Sequence, residues 1–185
     1  MSAPHSSASA QAVLDFWREA GPQKWFKKDE AFDAQFKARF EAAHEAAASG
    51  AFDHWGDSAE GSLALLVLLD QLPRNAWRNT ARMYATDDKA LEVARRAVDA
   101  GQDMQIEDPG LRAFFYLPFM HSESLADQER SVALCARADA NNLRFAKHHR
   151  DIVARFGRFP HRNEVLGRES TAEESAFLAE GGFTG

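Results

Sequence analysis

Leu63-Ala-Leu-Leu-Val-Leu-Leu69 is the stretch on which the fold turns. It is apolar on every side, with Gly61 just upstream and Asp70 directly after it. A segment without a polar face needs apolar neighbours all round, as a helix enclosed by other helices has. Its seven residues fall far short of the ~20 that span a bilayer. It therefore predicts a central core helix and no membrane association.

The flanking sequence supplies the enclosing helices. Ser9 reads as the cap of a helix with Val13, Phe16, Trp17 and Ala20 on one face, ended by Gly21-Pro22. Asp29 opens the next, in which Phe32, Phe36 and Phe40 recur every four residues before Gly50 closes it. Ser58 and Gly61 give the central helix a weak start. Asp87 reads as the cap of a helix over 88–100, stopped by Gly101. Asp108-Pro109 begins another, running through 111–120 with Pro118 interrupting it. Further helices are expected over 125–138 and over 142–156, the latter with Phe145, His149, Ile152 and Phe156 on a stripe and Gly157 at its end. Thr171 with Glu174 reads as a capping box for a last helix through Leu178. β-branched residues are scarce and no run alternates strictly, so no strand is expected. The reading is all-α: seven to nine helices in stacked antiparallel hairpins, without a clean repeat near the 34-residue solenoid period. One helical domain is expected over 9–185, with a small, polar and flexible N-terminal tail over 1–8.

Composition narrows the function classes. Forty-five per cent hydrophobic residues, with 14 Phe and 4 Trp, can build a core without covalent staples. Cys135 is the single cysteine, which rules out an internal disulfide and fits a reducing compartment. The N-terminus has neither a basic start nor an apolar stretch, so it predicts no secretory signal and a cytoplasmic protein. A net charge of −6 argues against general nucleic-acid binding. The charge is uneven, however. From Arg144 to Arg168 seven Lys and Arg face two acids. Such a basic block in an acidic chain implies a local anionic partner, internal or external.

Three segments carry polar residues where packing alone would not put them. Asp70 ends the apolar run, where the helix dipole disfavours negative charge, so a cation should hold it. Arg74 and Arg78 are the candidates if the helix resumes beyond Pro73; a buried structural ion pair is the plain alternative. Next, His121-Ser122-Glu123 follows the aromatic run Phe114-Phe115-Tyr116-Leu117-Pro118-Phe119. An H-x-E spacing serves zinc only beside further ligands such as a Cys pair, so no metal site is assigned from it. Ser122 or Ser124 as a helix cap, with Glu123 complementing the helix N-terminus, is the simpler reading. Last, Arg155-Phe-Gly-Arg158-Phe-Pro-His161-Arg162-Asn163 forms an aromatic-pinned loop rich in guanidinium forks, suited to carboxylate or phosphate. Its alternative is a charged loop that pairs with the acidic remainder. His149 lies on an apolar stripe and reads as a core residue. A metal cluster from His121, Glu123, His148 or His149 and Asp151 is conceivable, although adjacent histidines diverge by about 100° on a helix.

The segments 69–75, 115–123 and 149–163 together resemble one uncharacterised family, the domain-of-unknown-function family numbered nine hundred and twenty-four. The resemblance extends from about Val13 to Phe183, with Leu72 and Met83-Tyr84 as mild departures where such proteins tend to carry Phe. It implies a tetratricopeptide-like helical fold and no reaction, cofactor or substrate.

These readings predict a small-anion site at a junction of helices. Arg74, Arg78, Arg158 and Arg162 would supply charge; His121, His161, Asn75 and Asn163 would orient the ligand; Asp70 and Glu123 would hold the arginines. No cofactor is called for. Two alternatives stand beside it. One is a hydrolase using His121 or His161 with Glu123 as orienting partner. The other is an interaction module with Trp25-Phe26 exposed to a peptide or protein partner.

Overall fold

A computed structural model describes residues 8–183, and every regular element among them is helical. The chain runs α1 (Ala10–Ala20), a single turn α2 (Pro22–Trp25), α3 (Glu30–Ala48), α4 (Ala59–Leu66), a π-turn (Val67–Gln71) and α5 (Leu72–Ala76). Then follow α6 (Asp87–Asp99), α7 (Pro109–Arg112), α8 (Leu117–His121), α9 (Leu125–Cys135), α10 (Ala140–Phe156) and α11 (Ala172–Ala179), with short 3-10 turns between several of them. No described helix is long and apolar enough to cross a membrane. The tail expected over 1–8 falls, for residues 1–7, outside the described residues.

Local chemistry sets most boundaries. Ser9, Asp29, Ser58, Asp108 and Asp139 each accept a backbone N–H at the start of their helices. Thr171 and Glu174 form the reciprocal capping box at α11. Gly157 closes α10 at φ 72°, where a Cβ would be strained. Two expected caps do not form. Asp87 is the first residue of α6 rather than its cap, and Thr86, in the cap position, points its hydroxyl elsewhere. Ser124 stands before α9 without a side-chain cap bond.

α4, the π-turn and α5 run on as the central helix, and Leu63 to Leu69 are all fully buried. α1 and α6 pack on α4, α3 packs on α5 and the π-turn, and α8 reaches α6 and α9. Each Leu so buried contributes about 1.5–3 kcal/mol relative to exposure. Gly61 permits the crowded start of α4, because a Cβ there would lie 2.0 Å from the Trp55 carbonyl oxygen. α9 and α10 pack along one another as a hairpin.

The π-turn has a specific cause. Pro73 cannot donate to the Leu69 carbonyl, and its ring crowds that group. The ladder slips by one residue, so the Leu72 N–H bonds to Val67 O. The displaced carbonyls find side chains: Thr86 Oγ1 donates to Leu69 O at 2.6 Å, and His44 Nδ1 lies 2.8 Å from Leu68 O. Asp70 sits inside this turn, mid-helix rather than at a C-terminus.

Candidate functional site

Where α5, α8 and α10 meet the turn at Pro160–Arg162, a cleft of about 510 Å³ opens. Its walls are largely aromatic and aliphatic, with Trp25, Phe26, Met120, Phe145, Phe159 and Phe183 among them. Arg74, Asn75, Arg78, His121, His161 and Arg162 supply its polar lining, joined by Gln71, Tyr84 and His149.

Asp70 lies beneath the cleft, 1 % exposed, and gathers donors. His121 Nδ1 is 2.7 Å from its Oδ1, Arg74 Nη1 is 3.1 Å from the same oxygen, and Gln71 Nε2 donates to Oδ2 at 2.6 Å. Burial pushes this carboxyl up, but Arg74 and His121 outweigh burial and hold it below the usual carboxylate range. Arg74 also forks onto Asp87, at 2.7 and 2.9 Å. Burial lowers its pKa, yet Asp70 and Asp87 more than reverse that, so this guanidinium is well neutralised. Arg78 does not join Asp70. It takes Asp33 through Nε at 2.8 Å and Nη2 at 3.2 Å, and Asn75 donates to the same carboxylate at 2.6 Å.

Arg162 is the exception among the cleft's cations. It is 7 % exposed and held between the rings of Tyr84 and Phe159, 4.4 and 4.8 Å from their centroids. Its Nη2 donates to the His121 carbonyl at 2.7 Å, its Nη1 reaches Asp87 at only 3.4 Å, and its buried Nε has no partner. Burial and the nearby Arg74 lower its pKa, with Asp87 compensating only in part. The buried Nδ1 of His161 is likewise without a partner. Burial lowers the pKa of His161 to about 4, aided by Arg162, and that of His149 to about 4. His121 is also lowered, by burial and Arg74 against the pull of Asp70. The three imidazoles at the cleft are neutral near pH 7.

The remaining expected residues lie behind the cleft. Glu123 accepts both forks of Arg168 at 2.7 and 2.9 Å and the Phe159 N–H at 2.8 Å, so it neither caps α9 nor orients His121. Arg158 forks onto Glu174 at 2.7 and 2.8 Å. Asn163, fully enclosed, accepts from Arg168 and donates to Ser170 and Glu174. Together they brace the turn that carries His161 and Arg162. The imagined metal cluster does not assemble: among the described residues no three His, Cys, Asp or Glu side chains converge as ligands. His149 donates from Nδ1 to Phe145 O at 2.8 Å, yet it also lines the cleft. Trp25 and Phe26 part company. Trp25 is buried with Nε1 on Trp17 O at 2.7 Å, while Phe26 is 66 % exposed at the cleft and stacked on Phe114.

Sequence reasoning missed Asp87, Tyr84 and Arg168. Asp87 looked like a cap because it precedes a periodic run. The only signal for Arg168 was its place at the end of the basic block.

A family model described as a bacterial protein of unknown function (DUF924) matches residues 13–182. A solved structure, that of the protein of unknown function ATU0120 from Agrobacterium tumefaciens, superposes with a TM-score of 0.90 at 52 % sequence identity. The match covers 92 % of this chain and 97 % of that one. No curated protein matches the sequence.

Proposed function

The chain belongs to the DUF924 family of bacterial proteins of unknown function, and from that premise we propose that its cleft binds a small molecule with a flat apolar body and one anionic group. One observation carries the reading: Arg162 is a buried, incompletely neutralised guanidinium with an unpartnered Nε, in the wall of a cleft whose surface is mostly apolar. An uncompensated buried charge is costly, and a bound carboxylate or phosphate offsets that cost. Arg78 Nη1, free of hydrogen bonds among the described residues, is a further donor for the same group. The aromatic walls then accept the apolar body, as ligand clefts with a few polar groups commonly do. A buried Cys135, with its thiol pushed up to about 11 by burial, accords with a reducing, cytoplasmic setting.

The test is a thermal-shift titration with phenylacetate, phenyl phosphate and neutral phenylacetamide. At one hundred times its dissociation constant a ligand stabilises the fold by about 2.7 kcal/mol. We expect an upward shift with one or both anions and none with the amide, abolished in Arg162→Met. If neither anion shifts the transition, the anion reading is wrong. The two anions also separate a carboxylate site from a phosphate site.

A second reading has its own observation. Phe26 and Phe145 are exposed beside the cleft, so a peptide side chain is an alternative occupant. That fits the tetratricopeptide-like array the resemblance implies, as analogy from fold only.

A further inference from the structure

We propose that the cleft is catalytic, with His121 as a general base that activates water against a carboxylic ester borne by the anionic ligand. This rests on the anion reading above and adds a reaction to it. Asp70 accepts a hydrogen bond from Gln71 Nε2 and contacts the Arg74 guanidinium, which can only donate and is always charged, so the carboxylate is ionised. The 2.7 Å contact with His121 therefore places the imidazole proton on Nδ1. The lone pair then resides on Nε2, which makes no hydrogen bond to any described residue. His121 lines the cleft, so a base is presented to it with its tautomer fixed by a buried carboxylate. The π-turn that holds Asp70 is a device found disproportionately at functional sites.

The surroundings favour water over a covalent route. Among the described residues no Ser, Thr or Cys lines the cleft, so the proposed route uses water and forms no acyl-enzyme. His121 Nε2 takes a proton from water as the water oxygen bonds to the ester carbonyl carbon, and the C=O π pair moves onto oxygen. When that pair returns, the bond to the alkoxy group breaks and the departing alcohol takes the proton from Nε2. Ester and water give acid and alcohol, with no change of oxidation state. Asp70 touches only His121 and its neighbours, so it is a positioning residue. The imidazolium that forms transiently faces Asp70 and Arg74 of the central helix, Asp87 of α6, His149 of α10 and Arg162 of the turn. Burial and Arg74 keep the resting ring neutral.

The experiment uses the purified full chain with two esters, anionic mono-4-nitrophenyl glutarate and neutral 4-nitrophenyl butyrate, and with phenylacetate as a non-reacting ligand. The expected result is faster turnover of the glutarate ester, with a normal solvent deuterium isotope effect. His121→Gln should cut kcat by about 100-fold or more while KM and the thermal shift with phenylacetate stay unchanged. Asp70→Asn should lower kcat and displace its pH profile with KM unchanged, and its phenylacetate shift reports whether that variant is folded. Phenylacetate binding without turnover of either ester overturns catalysis and leaves the anion reading standing. Full turnover in His121→Gln also overturns it. Equal turnover of both esters that depends on His121 supports the base and removes the anion. Neither a shift nor turnover overturns both readings.

Discussion

At the residue scale, the polar chemistry concentrates in groups whose charge state folding alters. His149 and His161 are held near pKa 4 by burial, below the ordinary 6.5. Between those values the unfolded chain binds protons that the folded chain refuses, so stability is complete above pH 6.5 and is lost as pH falls towards 4. His121 shifts in the same direction. Depressed carboxyls such as Asp70 and Glu174 have the same sign in a lower window and lose their contribution only in stronger acid. From pH 7 to 5 a fully buried ring of this kind costs about 2 kcal/mol, and the partly exposed His161 costs less. Urea unfolding at the two pH values should show that loss, with His149→Phe removing a large share of it. An unchanged loss in that variant would acquit His149. Some of this was legible in sequence and some was not. Asp70 stood out because a carboxylate after seven apolar residues demands a cation, and Arg74 answers at 3.1 Å. That Arg78 turns away to Asp33, 45 residues back, is a tertiary fact with no local trace.

At the scale of the element, caps were readable because they are local: Ser9, Asp29, Asp108, Gly157 and the Thr171–Glu174 box each act within a few residues. The π-turn was not, since Pro73 alone is equally compatible with a helix end. What keeps the helix running is a partner for the stranded Leu69 carbonyl, and Thr86, distant in sequence, provides it at 2.6 Å. This predicts a coupling. Thr86→Val should destabilise the chain by about 1–3 kcal/mol through an unsatisfied buried carbonyl. In a Pro73→Ala background a backbone N–H becomes available to Leu69, so the same substitution should cost less. A double-mutant cycle by urea unfolding measures the difference. Additive costs would mean that Pro73 is not what strands the carbonyl.

At the scale of the whole molecule, the basic block reads differently once folded. Arg150, Arg155, Arg158, Arg162 and Arg168 each reach a carboxylate, so much of its anionic partner is internal. The sequence left internal and external partners equally open because charge counts carry no pairing. Arg144 and Lys147 are exposed and pair with no described carboxylate, whereas Arg162 is buried and under-served, and its position depends on braces outside the cleft. Glu174, buried in α11, accepts from both forks of Arg158, from the Thr171 N–H at 2.8 Å and from Asn163 at 3.2 Å. It thereby ties α11 to the segment that carries His161 and Arg162. Glu174→Ala removes the shared acceptor, so hydrogen exchange should quicken across 157–168. Affinity for whichever aryl anion binds the native chain should fall by about tenfold, since a site loosens when its supporting shell does. Glu173→Ala, which breaks only the exposed pair with Arg155, should change neither. Native affinity in Glu174→Ala, with the turn demonstrably loosened, would mean that the guanidinium of Arg162 is fixed by Tyr84 and Phe159 alone. Stacking supplies position along the ring normal but little resistance to sliding, so the braces are expected to decide.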